Sequence, residues 1–426
     1  MLQTFIAKTA SVFLASLVAS LLVVANSSAQ PVPSTTTVSG VWVEPAAGYG
    51  FVDAAISSAR SSIDLSMYEL FDPTIERDLV DRAHAGIDVR VMLNSAYDGK
   101  TENAAAAAVL SAGQVHVVWA PSSQIFHAKY LVIDDTRAYV GTGNFVASEY
   151  SSTRDFWVEE DNPTDVSAIK ETFDADSARS DAAPHGADGL VWSPGSTGTL
   201  VSLISSARHS LLVENEEMDS ASIENALAGA ARRGVSVDVI MTEDPSWTNA
   251  LHRLASAGVH VRSLNDSQTY IHAKVICADC TDSSGTAFIG SENFSTSSLS
   301  YNRELGIITT TLAAVRAVRN AVNTDFAVGS TLSALAQTPP SSSSSSTVTI
   351  TSLIFSIARG SDESLTAHTT TPEESCTLSV VLPSGYTSEA SGLGSETASA
   401  SGILTWNWWV SSETDPGIAR ATVTCG

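Results

Sequence analysis

The chain repeats itself, and the repeat limits the kinds of fold it can adopt. Ile56-Ser57-Ser58-Ala59-Arg60 returns 148 residues later as Ile204-Ser205-Ser206-Ala207-Arg208. At the same offset, Ala85-Gly86-Ile87-Asp88-Val89-Arg90-Val91-Met92 returns as Arg233-Gly234-Val235-Ser236-Val237-Asp238-Val239-Ile240. Val41-Trp42 recurs as Val191-Trp192. Within the first copy the apolar periods alternate, giving a helix over Phe51 to Arg60, a strand over Ile63 to Met67, a helix over Ile75 to Ala85 and a strand over Ile87 to Leu93. That order predicts an α/β layered fold with helices on mostly parallel strands. About 150 residues per copy are enough to bury a full core.

Inside the duplication lies a motif that carries chemistry. His127-Ala128-Lys129 is followed by Asp134, and His272-Ala273-Lys274 by Asp279. Strand-like apolar runs continue from each lysine, so His and Lys, two residues apart, are expected on one face. A small-residue turn ending in Asn follows each copy: Gly141-Thr142-Gly143-Asn144 and Gly290-Ser291-Glu292-Asn293. Two histidines, two lysines and two asparagines can build one pseudo-symmetric phosphate pocket. A neutral imidazole attacks phosphorus while a protonated one donates to the leaving alcohol, and water then completes a second displacement. Lys129, Lys274, Asn144 and Asn293 would hold the oxygens on which charge develops, with Thr142 and Ser291 as secondary phosphate donors. No cluster of carboxylates with metal-ligand spacing stands near either motif, so the expectation is chemistry without a metal or other cofactor.

A nucleophilic histidine needs a partner on its other ring nitrogen. Arg154-Asp155 and Arg303-Glu304 place acids 28 and 32 residues past the histidines. This assigns Asp155 to His127 and Glu304 to His272; the competing reading is an ion pair inside each Arg-acid dipeptide. Asp134 and Asp279 lie an odd number of residues beyond their histidines, so they are expected to face away from the phosphate and act structurally.

Composition bears on setting and partner. Lys8, an apolar run from Val12 to Ala25 and small residues before Ala29 read as a signal peptide over 1–29, hence an exported, soluble protein. Acids exceed bases, 46 to 22, for a net charge of −24, and the only lysines besides Lys8 are Lys100, Lys129, Lys170 and Lys274. Such a surface repels nucleic acid at long range. Export also makes disulfides plausible, with Cys277 paired to Cys280 and Cys376 to Cys425. Pro339-Pro340 and Ser341 to Ser346 read as a linker. The short alternating runs beyond it read as a β-sandwich of immunoglobulin-like type. Trp406, Trp408 and Trp409 in that segment are expected as core or cross-strand pairs, rather than as a carbohydrate or membrane platform. The divisions expected are therefore 1–29, lobe 1 over 30–185, lobe 2 over 186–336, linker 337–346 and accessory domain 347–426.

With both motifs and their turns in place, the chain resembles the phospholipase D superfamily over about residues 35 to 330. The resemblance implies a two-lobed α/β/α sandwich with the catalytic cleft between the lobes. It also implies a covalent phosphohistidine, with His127 as nucleophile and His272 as general acid and base, a choice that spacing alone leaves open. Thr142 stands where the family often has Ser, and the second copy carries four extra residues between Asp279 and Gly290. The superfamily includes phospholipases, phospholipid synthases and nucleases. The reading that fits an exported, acidic monomer is a phosphoric diester hydrolase of phospholipase D type, acting on phospholipid at a membrane surface to give phosphatidic acid and a free head-group alcohol. A metal-independent secreted endonuclease is the alternative, for which Arg90, Arg137, Arg154 and Arg303 could line a groove. A non-catalytic extracellular binding protein is the third reading, disfavoured because no motif residue is missing.

Overall fold

The computed structural model describes residues 33–332, apart from 97 and 181–182, and most of 348–425 (348–353, 361–372, 374–381, 388, 390, 392–399, 401–410 and 420–425). The expected signal peptide and the Pro/Ser linker lie outside the described residues. Among the described residues no helix is long and apolar enough to cross a membrane.

Each copy of the duplication forms one sheet. In the first, the strands lie in the order Gly40–Val43, Phe156–Glu160, Arg137–Gly141, Tyr130–Ile133, Ser62–Met67, Asp88–Leu93 and His116–Trp119. The second repeats it as Leu190–Ser193, Glu304–Thr309, Thr286–Gly290, Lys274–Ala278, Ser210–Asn215, Ser236–Thr242 and His260–Leu264, with Ser330–Thr331 at its edge. The expectation of mostly parallel strands is corrected. Parallel pairing is confined to Ser62–Met67 with Asp88–Leu93 and Asp88–Leu93 with His116–Trp119; the other four neighbour pairings in the first sheet are antiparallel. The reason is the motif strand itself, which turns back through Asp134-Asp135 into a hairpin instead of crossing over through a helix.

Alternation along the strands divides the core. Leu131 and Ile133 join the helices Gly50–Ser58 and Pro73–His84 on the outer face of the first sheet. Tyr130 and Val132 face inward, into a core shared by both lobes. The second sheet copies this, with Ile276 and Ala278 outward and Val275 and Cys277 inward. The last helix of each copy, Pro163–Ser177 and Leu312–Val328, supplies Phe173, Val315, Val318 and Val322 to the shared core. Two sheets thus sandwich two helices and carry further helices outside, and the lobes are joined by one apolar interior.

The C-terminal segment is all β. Val348–Leu353, Ser361–Thr369 and Ile403–Val410 form one antiparallel sheet, and Gly394–Thr397, Ser375–Val381 and Arg420–Cys425 form another. Their facing residues, including Leu365, Leu378, Trp406 and Trp408, make a small core beside the Cys376–Cys425 disulfide. Trp406 and Trp408 are buried, as core residues should be, while the side chain of Trp409 lies outside the described ones. The other disulfide joins Cys277 to Cys280 at the end of the second motif strand.

Asp134 and Asp279 hold the turns at the far ends of the motif strands. Both adopt positive φ, 54° and 52°, which Asp tolerates better than most residues. Asp134 accepts N–H bonds from Arg60, Ser61 and Ser62, and Asp279 from Arg208, His209 and Ser210. Burial works against ionisation, but these donors outweigh it and hold both carboxyls below the ordinary range. Their contribution to stability is therefore full above the unfolded pKa of about 4 and is lost as pH falls through the folded value. Asp279→Ala is predicted to cost about 1–3 kcal/mol, read as a lowered urea midpoint at pH 7, with the difference from wild type shrinking toward pH 3.

Candidate functional site

The two motifs approach their strands along the opposite lobe. The His127 and Ala128 N–H groups both donate to the Arg303 carbonyl at 2.9 Å, and the Arg303 N–H returns to the Ile125 carbonyl at 2.8 Å. In the other direction, Tyr270 and Ile271 pair in parallel with Thr153 and Arg154. The histidines sit just ahead of the strands rather than within them, since the strands begin at Tyr130 and Lys274. Each motif therefore lies beside the Arg-acid dipeptide of the other repeat.

The orienting carboxylates cross over as a result. His127 Nδ1 is 2.8 Å from Glu304 Oε2, and His272 Nδ1 is 2.9 Å from Asp155 Oδ1. This corrects the same-repeat assignment of Asp155 to His127 and Glu304 to His272. Spacing along the chain placed the acids in the site but could not say across which lobe they reach. The arginines cross as well. Arg154 makes a two-pronged bond to Asp325, at 2.6 and 2.9 Å, and Arg303 Nη2 reaches Asp176 Oδ1 at 2.9 Å. Both aspartates belong to the last helix of the other copy, so the dipeptides lock the lobes together rather than pairing internally.

With Nδ1 bonded to a carboxylate, each imidazole keeps Nε2 for a substrate. The carboxylates are themselves held. Asp155 Oδ1 accepts from Thr142 Oγ1 at 2.5 Å, and Glu304 Oε1 from Ser298 Oγ and Asn302 Nδ2 at 2.7 and 3.1 Å. Ser291 Oγ bonds the Leu305 main chain in both directions. Thr142 and Ser291 are fully buried behind the acids, so their expected place as phosphate donors is corrected to support of the orienting layer. Gly143 serves the same layer, because a Cβ there would meet Asp155 Cγ at 2.8 Å and the Tyr49 hydroxyl at 2.7 Å.

Lys129 and Lys274 are fully buried, and each ammonium donates to the carbonyl of its own motif histidine. Burial, with the Lys274 charge nearby, brings Lys129 down to about 7. Burial also brings His127 down to about 4; Lys129 and Lys274 act in the same direction, and Glu304 opposes them. At neutral pH His127 is an uncharged imidazole.

Sequence reasoning missed two acids. Asn144 Nδ2 donates to Glu69 at 3.2 Å, and Asn293 Nδ2 to Glu216 at 3.3 Å. Glu216 also lies 2.9 Å from Lys274 Nζ and 3.6 Å from His272 Nε2, and accepts from the Tyr270 hydroxyl at 2.7 Å. In the first repeat the Tyr68 ring stands edge-on to His127 at 4.7 Å and 5.2 Å from Lys129 Nζ. The signal was available, because the 148-residue offset aligns Tyr68-Glu69 with Glu216-Glu217 at the ends of equivalent strands.

The candidate arginine groove does not form. Arg90 pairs with Asp64 and Asp174, Arg137 with Glu159, Arg154 with Asp325 and Arg303 with Asp176. All four guanidinium groups are engaged with carboxylates of the fold. Among the described residues, the grouping with metal-ligand spacing is Glu374, Cys376 and Cys425, where the two sulfurs are bonded to each other.

A profile of the family described as cardiolipin synthase, PLD-like domain matches residues 52–177 and again 200–326. No curated protein sequence matches the chain. Among solved structures, phosphatidylserine synthase from Haemophilus influenzae Rd KW20 aligns with a TM-score of 0.54 and 12% identity, over 70% of this chain and 89% of that one. Polyphosphate kinase from Porphyromonas gingivalis aligns with a TM-score of 0.54 and 17% identity, over 67% of this chain and 46% of that one, so this chain spans less than half of that protein. Nuc from Salmonella typhimurium, a phospholipase D family member, is 22% identical over 33% of this chain and 95% of its own, with a TM-score of 0.30. At these identities the likeness is one of fold.

The crossed pairing is open to direct test by imidazole ¹⁵N NMR. Because Glu304 raises the His127 pKa, Glu304→Gln should push its titration below about 4 and leave the His272 resonances in place. Asp155→Asn should move those of His272 alone. The reverse pattern would restore same-repeat pairing.

Proposed function

Since the chain belongs to the cardiolipin synthase PLD-like family of the phospholipase D superfamily, whose members act on phosphodiesters, we propose that it is a secreted phosphodiesterase of phospholipase D type. It hydrolyses a phospholipid to phosphatidic acid and a free head-group alcohol. The observation that carries a two-step mechanism is the pair of crossed imidazole–carboxylate contacts, which leave two Nε2 atoms for one phosphate. His127 Nε2 attacks phosphorus and the bond to the leaving oxygen breaks as His272 gives that oxygen its proton. His272 then takes a proton from water, whose oxygen attacks phosphorus and releases His127. Burial supports His127 as the nucleophile by keeping it neutral, while His272 stands between Asp155 and Glu216, where an imidazolium is countered. Lys129 and Lys274 supply positive charge to the non-bridging oxygens.

Lipid is favoured over nucleic acid by charge. The arginines that could have followed a polyanion are paired within the fold, the cleft carries Glu69 and Glu216, and the whole chain has a net charge of −24. Export is supported by the signal-peptide pattern over 1–29 and by two disulfides.

Hydrolysis of a choline phospholipid in vesicles, with a chelator present, is the expected activity, and His127→Ala should lower kcat by about 10³-fold or more. Cleavage of an oligonucleotide and no cleavage of lipid would select the endonuclease reading. Full turnover by His127→Ala on every diester tried would remove the mechanism. In the free enzyme, kcat/KM should rise with pH as His127 loses its proton near 4 and fall as Lys129 loses its own near 7.

A further inference from the structure

The second repeat's half of the phosphate site already holds a carboxylate. Glu216 Oε2 lies 2.9 Å from Lys274 Nζ, 3.3 Å from Asn293 Nδ2 and 3.6 Å from His272 Nε2, which are the three groups that half-site would offer a phosphate. The Tyr270 hydroxyl fixes the other oxygen at 2.7 Å. Burial alone would raise the Glu216 pKa, but Lys274 and His272 outweigh it and keep the group ionised, below the ordinary range. The first repeat differs: its acid, Glu69, accepts from Asn144 Nδ2 at 3.2 Å from one position further along the chain, and among the described residues it makes no ion pair with Lys129. Ser66 and Glu214 face the residues just after the two motif lysines, Tyr130 and Val275, so two steps on Tyr68 and Glu216 hold the same structural position. There Tyr68 presents a ring to His127 and Lys129 where Glu216 presents a charge.

We propose that Glu216 is a specificity-determining residue that restricts the site to singly charged phosphodiesters and excludes phosphomonoesters and inorganic phosphate. The inference rests on the phosphodiesterase reading and deepens it. A fixed negative charge beside the incoming anion penalises a dianion twice as heavily as a monoanion at the same distance. The product phosphatidic acid is itself a monoester, so the same repulsion that rejects monoesters promotes release of product.

The test compares wild type with Glu216→Gln, which keeps the shape, and Glu216→Tyr, which copies the first repeat. Binding of inorganic phosphate at pH 8 is measured by calorimetry, and kcat/KM for bis(p-nitrophenyl) phosphate is set against p-nitrophenyl phosphate. Both variants should bind phosphate about ten-fold tighter or more, with the diester preference reduced by a similar factor. Unchanged or weaker phosphate binding in variants that unfold cooperatively would overturn the proposal. It is also overturned, whatever the variants do, if wild type binds inorganic phosphate as tightly as diethyl phosphate. Tighter phosphate binding by the variants of a wild type that cleaves no diester would sink the catalytic reading and leave this one standing. Diester cleavage by wild type with unaltered phosphate affinity in the variants would do the opposite.

Discussion

The structure depends on an exchange between its two halves, in which each Arg-acid dipeptide reaches into the other repeat. The acid holds the opposite motif histidine by Nδ1, and the arginine holds an aspartate in the opposite terminal helix. The two Arg–Asp pairs are nearly buried, so removing one member of either would strand a charge, at a cost of about 3–5 kcal/mol. The same atoms that orient the imidazoles therefore hold the lobes in register. A duplicated chain built this way behaves like a two-fold dimer in one polypeptide, where residue i of one copy meets j of the other and j meets i. Neither lobe carries a complete half-site on its own, since His127 lacks its partner without Glu304 and His272 without Asp155.

A symmetric frame has to be broken for two histidines to do different work. The break appears at one structural position, where Tyr68 faces one motif and Glu216 the other. A second difference follows in the turns. Gly143 leaves room for Asp155, whereas Glu292 takes the matching place and buries its carboxyl beside Gly290 and Gly306. Burial raises the Glu292 pKa well above the ordinary range, so this acid adds no charge next to Glu304 at neutral pH.

What was legible in the sequence follows what its periodicities encode. The repeat offset and the alternation of apolar residues gave the helices and strands of each copy, because burial imposes 3.6- and 2-residue periods directly on the chain. Helix Pro73–His84 and strand Ser62–Met67 fall within two residues of their expected ends. The motif pairs, the turn asparagines and the acids of the dipeptides were also legible, and the structure brings each histidine against the acid of the other lobe and each asparagine against an acid of its own. Partnership was not legible. A spacing of 28 or 32 residues says nothing about which lobe an acid faces, and the inter-lobe pairing of Thr153-Arg154 with Tyr270-Ile271 decides it. The antiparallel hairpin was hidden for a similar reason, since strand direction is set by the tight Asp134-Asp135 turn and not by hydrophobic period.

An anion site this rich in acids works only if few of them are charged. Of the carboxyls around the motifs, Glu304 and Glu216 are held ionised by the histidines and lysines they touch. Burial pushes Glu214 and Glu292 well up, raises Glu69, and brings Glu217 to about 7, with Glu216 adding to the last shift. Glu214 lies next to Asp325, the aspartate that anchors Arg154, and staying protonated keeps it from competing for that arginine. Ionised acids thus sit where an imidazole or ammonium needs a counter-charge, while Glu214 and Glu292, pushed well up by burial, fill the layer behind. The exception is Glu216, whose charge faces the phosphate position itself, and the site's net attraction for an anion rests on the balance between that carboxylate and Lys274.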